Sequence, residues 1–176
     1  MMIRFSRSVD IKAPPETVFQ LVMDLEKRIR LSPNVDVISV RKETEGPVGV
    51  GTEFHLRLSS QGQPVEYRCR CTAFEPGRKM ETVSLTEQPF GMRVMVEAIA
   101  GGTRLTQEEW LGVKYQKPSR PEARSVLGKL ANVLADGLSG HTVHDKQYHN
   151  VTLEQELGLQ LEQWLQATRA YLENQV

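Results

Sequence analysis

A helical pattern near the C-terminus decides the fold: residues 151–172 read VTLEQELGLQLEQWLQATRAYL. One set of mainly apolar side chains recurs there at steps of three and four residues, which aligns them on one face of an α-helix. Most of the glutamates and glutamines fall away from this stripe. A long amphipathic helix must bury its apolar face, so the rest of the chain has to provide a surface for it. The stripe consists of Leu153, Leu157, Leu161, Trp164, Leu165, Thr168, Tyr171 and Leu172.

Upstream of this helix, apolar and polar side chains alternate, which is the period of half-buried β-strands. Residues 65–73 (VEYRCRCTA) are the clearest case. Turn signals divide the pattern into seven strands, and Gly101-Gly102 is the strongest of them, with positive φ expected at both glycines. We expect an antiparallel sheet with one polar face, and the C-terminal helix covers the other. The predicted strands are residues 3–11, 35–44, 52–59, 65–73, 80–86, 90–100 and 103–115.

Proline and helical spacing predict one or two short helices after the first strand. Pro14 and Pro15 end that strand, because proline cannot donate to a sheet but suits the first turn of a helix. Apolar residues then recur at helical spacing from Val18 to Leu25. The string Ser32-Pro33 closes the helical stretch.

A further helical segment separates the last strand from the C-terminal helix. Pro118 and Pro121 break the strand, and residues 122–138 have the spacing of a helix. Residues 141–150 are predicted to form a polar loop, although a kinked continuation of one longer helix also fits them. We therefore predict a helical insertion over residues 116–150, inside one domain that spans residues 1–176.

Composition and charge exclude several classes of protein. The chain has 176 residues, of which 39% are hydrophobic, and this suits one globular domain. Lysine plus arginine and aspartate plus glutamate number 22 each, so no net charge favours nucleic acid as a partner. No apolar run approaches the roughly 18 residues of a membrane span. Cys69 and Cys71 are expected to be free thiols, and the N-terminus lacks the apolar core of a signal peptide, so we expect a soluble cytoplasmic protein.

Several short strings, taken in their order along the chain, resemble one superfamily. They are residues 9–19 (VDIKAPPETVF), 32–33 (SP), 49–52 (GVGT), 72–76 (TAFEP) and 102–106 (GTRLT). Together they resemble the START-like helix-grip superfamily, which includes START lipid-transfer domains, polyketide cyclases and aromatase-like proteins. The resemblance implies an α+β helix-grip fold, in which a curved seven-stranded antiparallel sheet wraps around the long C-terminal helix. It also implies an internal cavity that binds a small hydrophobic molecule.

The inward side chains of the sheet and the helix are the candidate lining of that cavity. Apolar stripes alone fit a filled core equally well, because pockets and cores use the same residues. The resemblance favours the cavity. The candidates are Leu56, Leu58, Tyr67, Cys69, Met80, Met92, Val94, Val96, Gln107, Glu109, Leu111, Leu157, Leu161 and Trp164.

Polar residues on the inward side of the strands are candidates for chemistry. Arg7 belongs to the first strand, and Gln107 and Glu109 belong to the last; the helix-grip arrangement makes these strands neighbours. A buried charge needs a partner, so Arg7 is a candidate to pair with Glu109. Alternatively, these side chains reach solvent, form a structural pair or orient a ligand. A further alternative is that Glu109, Arg7 and Tyr67 serve as acid and base on an enolisable carbonyl compound.

Three functions remain open at this point. The first is a non-catalytic carrier or sensor of a lipid, an isoprenoid or a polyketide-like compound. The second is an enzyme of the cyclase, aromatase or dehydratase type that uses Glu109, Arg7 or Tyr67. The third is a protein-interaction module, or a homodimer, formed through the 116–150 insertion.

We expect neither a cofactor nor a metal ion. The sequence has no Ser-His-Asp, Walker or Rossmann glycine pattern. His141, His144 and His149 have a spacing that suggests a metal site, but a solvated polar loop fits them better, because no cysteine accompanies them. We therefore expect a binding protein rather than an enzyme.

Overall fold

The computed structural model describes residues 2–60, 62–86, 89–112 and 146–175. The described residues form seven strands and three helices, in the order that the sequence predicts. They are β1 (Met2–Ile11), α1 (Pro15–Met23), α2 (Leu25–Arg30), β2 (Asp36–Lys42), β3 (Glu53–Ser60), β4 (Gln63–Glu75), β5 (Lys79–Ser84), β6 (Phe90–Ile99), β7 (Gly102–Gly112) and α3 (Lys146–Glu173).

Helix α3 contains the last residues of the predicted insertion as well as the predicted C-terminal helix. Residues 113–145, which hold the predicted end of the last strand and most of the insertion, lie outside the described residues. Residues 146–150 were expected in a polar loop, but they form the start of α3. Lysine and glutamine are good helix formers even where no apolar stripe marks a helix, so the loop prediction was wrong for these residues.

The strands form one antiparallel sheet in the order β1-β7-β6-β5-β4-β3-β2. The chain leaves β1 at one edge of the sheet, passes through α1 and α2, and enters β2 at the opposite edge. From β2 onward each strand pairs with the next, and β7 closes the series beside β1, as predicted. The pairing of β2 with β3 shifts register between Val37 and Ser39, which leaves Ile38 outside the regular ladder.

The turn between β6 and β7 differs in detail from the sequence prediction. Gly101 has the expected positive φ of 81°, but Gly102 is the first residue of β7 and does not. Gly102 instead meets a steric requirement, because a Cβ there would collide with the carbonyl oxygen of Ile11. The second glycine thus allows β7 to approach the end of β1.

Helices α1 and α2 follow β1 as one short unit. Pro15 is the first residue of α1, where its missing N–H costs no helical hydrogen bond. The Asp24 carboxylate accepts a hydrogen bond from the Lys27 backbone N–H at 3.0 Å and thereby caps α2. The buried face of α1 packs against β6 and β7 and covers that part of the sheet.

Helix α3 packs against the buried face of the sheet and runs along β1. Leu157, Leu161, Leu165 and Leu172 are buried in the main core, which confirms the apolar stripe of the sequence analysis. A seven-stranded antiparallel sheet with this C-terminal helix is the expected helix-grip arrangement. Within the described residues, no helix is long and apolar enough to cross a membrane.

Leu165→Ala should lower the free energy of unfolding by about 2–5 kcal/mol, because it leaves a cavity under α3. Leu165 is 2% exposed, whereas Leu159 on the same helix is 55% exposed. Leu159→Ala is therefore the matched control and should change stability by no more than about 0.5 kcal/mol. Urea unfolding followed by circular dichroism measures both. Equal losses in the two variants would contradict the placement of α3.

Candidate functional site

A cavity of about 170 Å³ lies between the inner face of the sheet, α2 and α3. Apolar side chains make up most of its wall, and a few polar groups, among them one arginine and one glutamate, reach it. The lining consists of Phe5, Leu25, Arg28, Ile29, Ser32, Asn34, Val35, Leu58, Ser60, Val65, Tyr67, Cys69, Thr82, Phe90, Met92, Glu109, Leu111, Leu157, Gln160, Leu161 and Trp164.

The structure brings part of the predicted lining together at this cavity. Leu58, Tyr67, Cys69, Met92, Glu109, Leu111, Leu157, Leu161 and Trp164 all border it.

The other predicted residues do not border the cavity: Leu56, Met80, Val94, Val96 and Gln107 are buried elsewhere in the interior. They point to the same side of the sheet, and α1 packs over the part of it that β6 and β7 form. Strand alternation identifies the buried face of a sheet; it does not identify which part of that face is covered tightly.

Sequence reasoning missed the contribution of α2 and the segment after it. Arg28 and Ile29 lie three and four residues after Leu25, so these three share the face of α2 that borders the cavity, and Ser32 follows the helix. The sequence did contain a signal for this part of the site, because Arg28 is a cation on the same helical face as the apolar Leu25 and Ile29. The other lining residues outside the predicted set are Phe5, Asn34, Val35, Ser60, Val65, Thr82, Phe90 and Gln160.

Arg28 is the most unusual of these residues, because its side chain is charged and only 3% exposed. Its Nη2 donates to the Sδ of Met92 at 3.0 Å. Its guanidinium carbon lies 5.3 Å from the ring centre of Trp164, within range of a cation–π contact. The indole Nε1–H of Trp164 donates to the backbone oxygen of Arg28 at 2.8 Å, which ties α3 to α2.

The Arg28 guanidinium has unused hydrogen-bonding capacity. Its Nε and Nη1 are buried and have no hydrogen-bond partner among the described residues. Burial lowers the pKa of Arg28 to about 10, although the nearby Glu109, Tyr67 and Cys69 oppose this shift. A pKa of about 10 still leaves the side chain protonated at neutral pH. The cavity wall therefore carries a buried positive charge.

Glu109 borders the same cavity from β7. Its Oε1 accepts a hydrogen bond from the Nε2 of the buried Gln107 at 2.6 Å. Loss of solvation raises the pKa of Glu109 above its ordinary value, while the bond from Gln107 and the charge of Arg28 act in the opposite direction. No ion pair within 4.0 Å joins Glu109 to a cation in the described part of the chain. Glu109 is thus biased toward its protonated form, a carboxylic acid that can donate a proton.

Tyr67 and Cys69 lie side by side on β4 and also border the cavity. The ring of Tyr67 packs edge-on against Phe90 at 6.2 Å between ring centres. Burial raises the pKa of Tyr67, and it raises the pKa of the Cys69 thiol to about 12. Cys69 and Cys71 are free thiols, as the sequence analysis predicted. The Tyr67 hydroxyl and the Cys69 thiol therefore stay neutral at physiological pH.

The predicted pairing of Arg7 with Glu109 does not occur. Arg7 opposes Gln107 in the strand register, and Phe5 opposes Glu109. The Nη1 of Arg7 donates to the Ser6 backbone oxygen at 2.7 Å. Its guanidinium also lies where a Cβ of Gly158 in α3 would be. Arg7 thus follows the surface beneath α3 and does not border the cavity.

Among the residues that the structure describes, no group of three or more His, Cys, Asp or Glu side chains could hold a metal ion. His141 and His144 of the sequence analysis lie outside the described ranges. The candidate site is therefore defined by the cavity, its apolar walls and the groups of Arg28, Tyr67 and Glu109.

Solved structures share this fold over nearly their whole length. The Zhui aromatase/cyclase from Streptomyces sp. R1128 has a TM-score of 0.67 at 15% identity, covering 98% of this chain and 94% of its own. The Polyketide_cyc-like protein Cgl2372 from Corynebacterium glutamicum has a TM-score of 0.59 at 21% identity, with coverages of 98% and 93%. Ara h 8.0201 has a TM-score of 0.56 at 15% identity, with 98% of both chains covered. At these identities the likeness shows the fold alone.

Comparison of the sequence with known families identifies the family, which the likeness in fold does not. Among curated proteins, none is significantly similar to it. It matches a family described as polyketide cyclase/dehydrase and lipid transport over residues 2–139, a span that includes every lining residue contributed by the sheet and by α2. This match confirms the resemblance drawn from the short strings. The chain belongs to the polyketide cyclase/dehydrase and lipid transport family.

Proposed function

We propose that the chain binds a small hydrophobic molecule in the cavity between sheet and α3, as a carrier or a sensor. The observation that carries this proposal is the 170 Å³ space with mainly apolar walls. Buried space of this kind is unfavourable when empty, since the lining atoms lose contacts that a packed interior would provide. An apolar ligand restores those contacts. Membership of a family described by cyclase, dehydrase and lipid-transport functions supports the same conclusion.

The lining suits an apolar guest of adjustable shape. Met92 and the leucines of α3 offer side chains that can repack around different ligands. Tyr67 and Phe90 provide flat surfaces against which a ring or a chain can lie.

Val65→Phe should block this cavity, because Val65 lines it from β4 and is buried. We expect the affinity for 4-ethylphenol, a small neutral probe, to fall by ~10-fold or more, since a filled cavity has no room for the ring. Isothermal titration calorimetry measures the affinity. Native mass spectrometry of gently purified protein should also show a co-purified apolar compound in the wild type and less of it in the variant.

The matched control for this experiment is Val50→Phe, which adds the same ring at a site that is 68% exposed. It should bind 4-ethylphenol as the wild type does. Thermal unfolding of both variants without ligand shows whether each is folded. Undiminished binding by folded Val65→Phe would refute a ligand site in this cavity.

A cyclase or aromatase type of enzyme is the second candidate function. Burial is the largest cause of the raised pKa of Glu109 and of Tyr67, and it favours the protonated form of each inside the cavity. A protonated Glu109 could donate its proton to a carbonyl oxygen of the ligand while a water molecule takes the α-proton, which gives a neutral enol; the nearby positive charge of Arg28 would stabilise the negative charge that develops on that oxygen. Arg7, a candidate in the sequence analysis, does not border the cavity and has no part in this mechanism.

Glu109→Gln tests the enzyme hypothesis. If Glu109 is a general acid, the variant should lose ~100-fold or more of the rate of α-proton exchange in 2-acetylcyclohexanone while it still binds this compound. Proton NMR in heavy water measures the exchange. In the wild type, the catalysed rate should be constant at low pH and fall as pH rises through the raised pKa of Glu109, because the acid form is consumed.

Glu108→Gln is the control, since Glu108 lies on the opposite face of β7 and pairs with Arg93. It should exchange protons as the wild type does. Because the pKa of Glu109 is raised in the folded chain, the free energy of unfolding should fall as pH rises from the ordinary carboxyl range through that raised pKa. Glu109→Gln removes this titration, so its free energy of unfolding should fall less over the same pH range. If the wild type exchanges the α-proton no faster than buffer alone does, the enzyme hypothesis is wrong and the carrier or sensor role remains.

The other sequence predictions remain proposals. They are one domain over residues 1–176, a cytoplasmic location, and a homodimer or a protein partner bound through the 116–150 insertion. Most of that insertion lies outside the described residues, so no contact in the structure bears on the last of these.

A further inference from the structure

Arg28 lines the cavity and carries hydrogen-bond donors that no atom of the described residues accepts. Its Nε and Nη1 have no partner among the described residues, and its Nη2 bonds to the sulfur of Met92, a weak acceptor. Burying a charged group without strong partners is unfavourable, so such groups normally have one. A ligand with a strong acceptor group would supply the missing partner.

The balance of charge around Arg28 selects the kind of acceptor. The groups that interact with it electrostatically are Glu109, Tyr67 and Cys69. Burial is the first cause of a raised pKa in each of these three groups, and this favours their neutral forms. Arg28 itself remains protonated at neutral pH. Within the described residues, no carboxylate oxygen lies within 4.0 Å of the Arg28 guanidinium, and two of its nitrogens have no hydrogen-bond partner, so an anion would complement it.

The volume of the cavity limits the rest of the ligand. An apolar cavity of roughly 150 Å³ accepts benzene, so about 170 Å³ holds one ring or a short branched chain with its attached group. The space is much smaller than a phospholipid. Phe90, Leu58 and Leu161 provide the apolar surface that such a body needs.

We propose that the ligand is a small monocarboxylic acid, with its carboxylate bound to the Arg28 guanidinium and its single ring or short chain in the apolar part of the cavity. This inference rests on the proposed ligand-binding function and narrows its ligand class. Arginine is well suited to the role, because its planar guanidinium makes strong charge-assisted hydrogen bonds to carboxylates. Trp164, stacked at 5.3 Å from the guanidinium carbon, holds the arginine in place from α3.

Two probes of equal shape test the proposal: 4-ethylbenzoate, which is anionic, and 4-ethylbenzamide, which is neutral. At neutral pH the wild type should bind the benzoate ~10- to 100-fold more tightly, because one charge-assisted contact differs between the probes. Arg28→Met should keep the affinity for the amide and lose the preference for the benzoate. Isothermal titration calorimetry measures all four affinities.

Arg30→Met is the matched control. Arg30 lies on the same helix, but it pairs with Glu26 and about half of its side chain is exposed. This variant should keep the full preference for the benzoate. Arg28→Gln serves as a second variant if Arg28→Met does not fold, and thermal unfolding without ligand reports on both. Since each removes a buried unpaired charge, neither should be less stable than the wild type.

The possible outcomes separate this inference from the proposed function. Equal binding of the two probes by the wild type, or a preference that persists in folded Arg28 variants, would overturn the acid ligand and leave the cavity a hydrophobic site. If neither probe binds the wild type, the ligand-binding function and the acid ligand both fail. The proposal is supported if the Arg28 variants lose the preference for the benzoate and Arg30→Met keeps it.

Discussion

The packing of α3 against the inner face of the sheet is the contact on which the rest of the structure depends. The sheet is polar on one face and apolar on the other, and the apolar face cannot be left in water. The buried leucines of α3 cover the part of this face next to β1, and α1 covers a part formed by β6 and β7. The bond from Trp164 to the backbone of Arg28 then links α3 to α2. Because the cavity lies between the sheet, α2 and α3, the same contacts that stabilise the fold also define the cavity.

Local sequence patterns predicted the fold well, because each element carries its own periodic signal. The alternation in β4 and the long stripe of α3 are examples, and even the pairing of β1 with β7 followed from the family resemblance. The cavity was harder to predict. Tyr67 and Met80 both point inward, yet Tyr67 borders the cavity and Met80 is fully buried away from it, and strand alternation is the same for both.

The prediction failed most clearly where the sequence signal was short. Helix α2 has six residues, too few for a periodic pattern to stand out, and so Arg28 was not considered as a buried residue. Arg7 was considered, because strand alternation pointed it inward. In the structure Arg7 does lie on the inner side, but beneath α3, where Gly158 leaves space for its guanidinium, and not at the cavity. Strand alternation predicts the face on which a side chain lies, but not which part of that face a helix covers.

The register shift at Ile38 has a consequence for the behaviour of the chain in concentrated solution. Strand β2 lies at the end of the sheet, and a terminal strand has backbone N–H and C=O groups free to recruit a strand from another molecule. The irregularity at Ile38 interrupts that row of groups, and the positively charged Arg41 and Lys42 follow it. Bulges and charges in such strands discourage edge-to-edge aggregation. On this side, the chain has a built-in safeguard against joining its neighbours into fibrils.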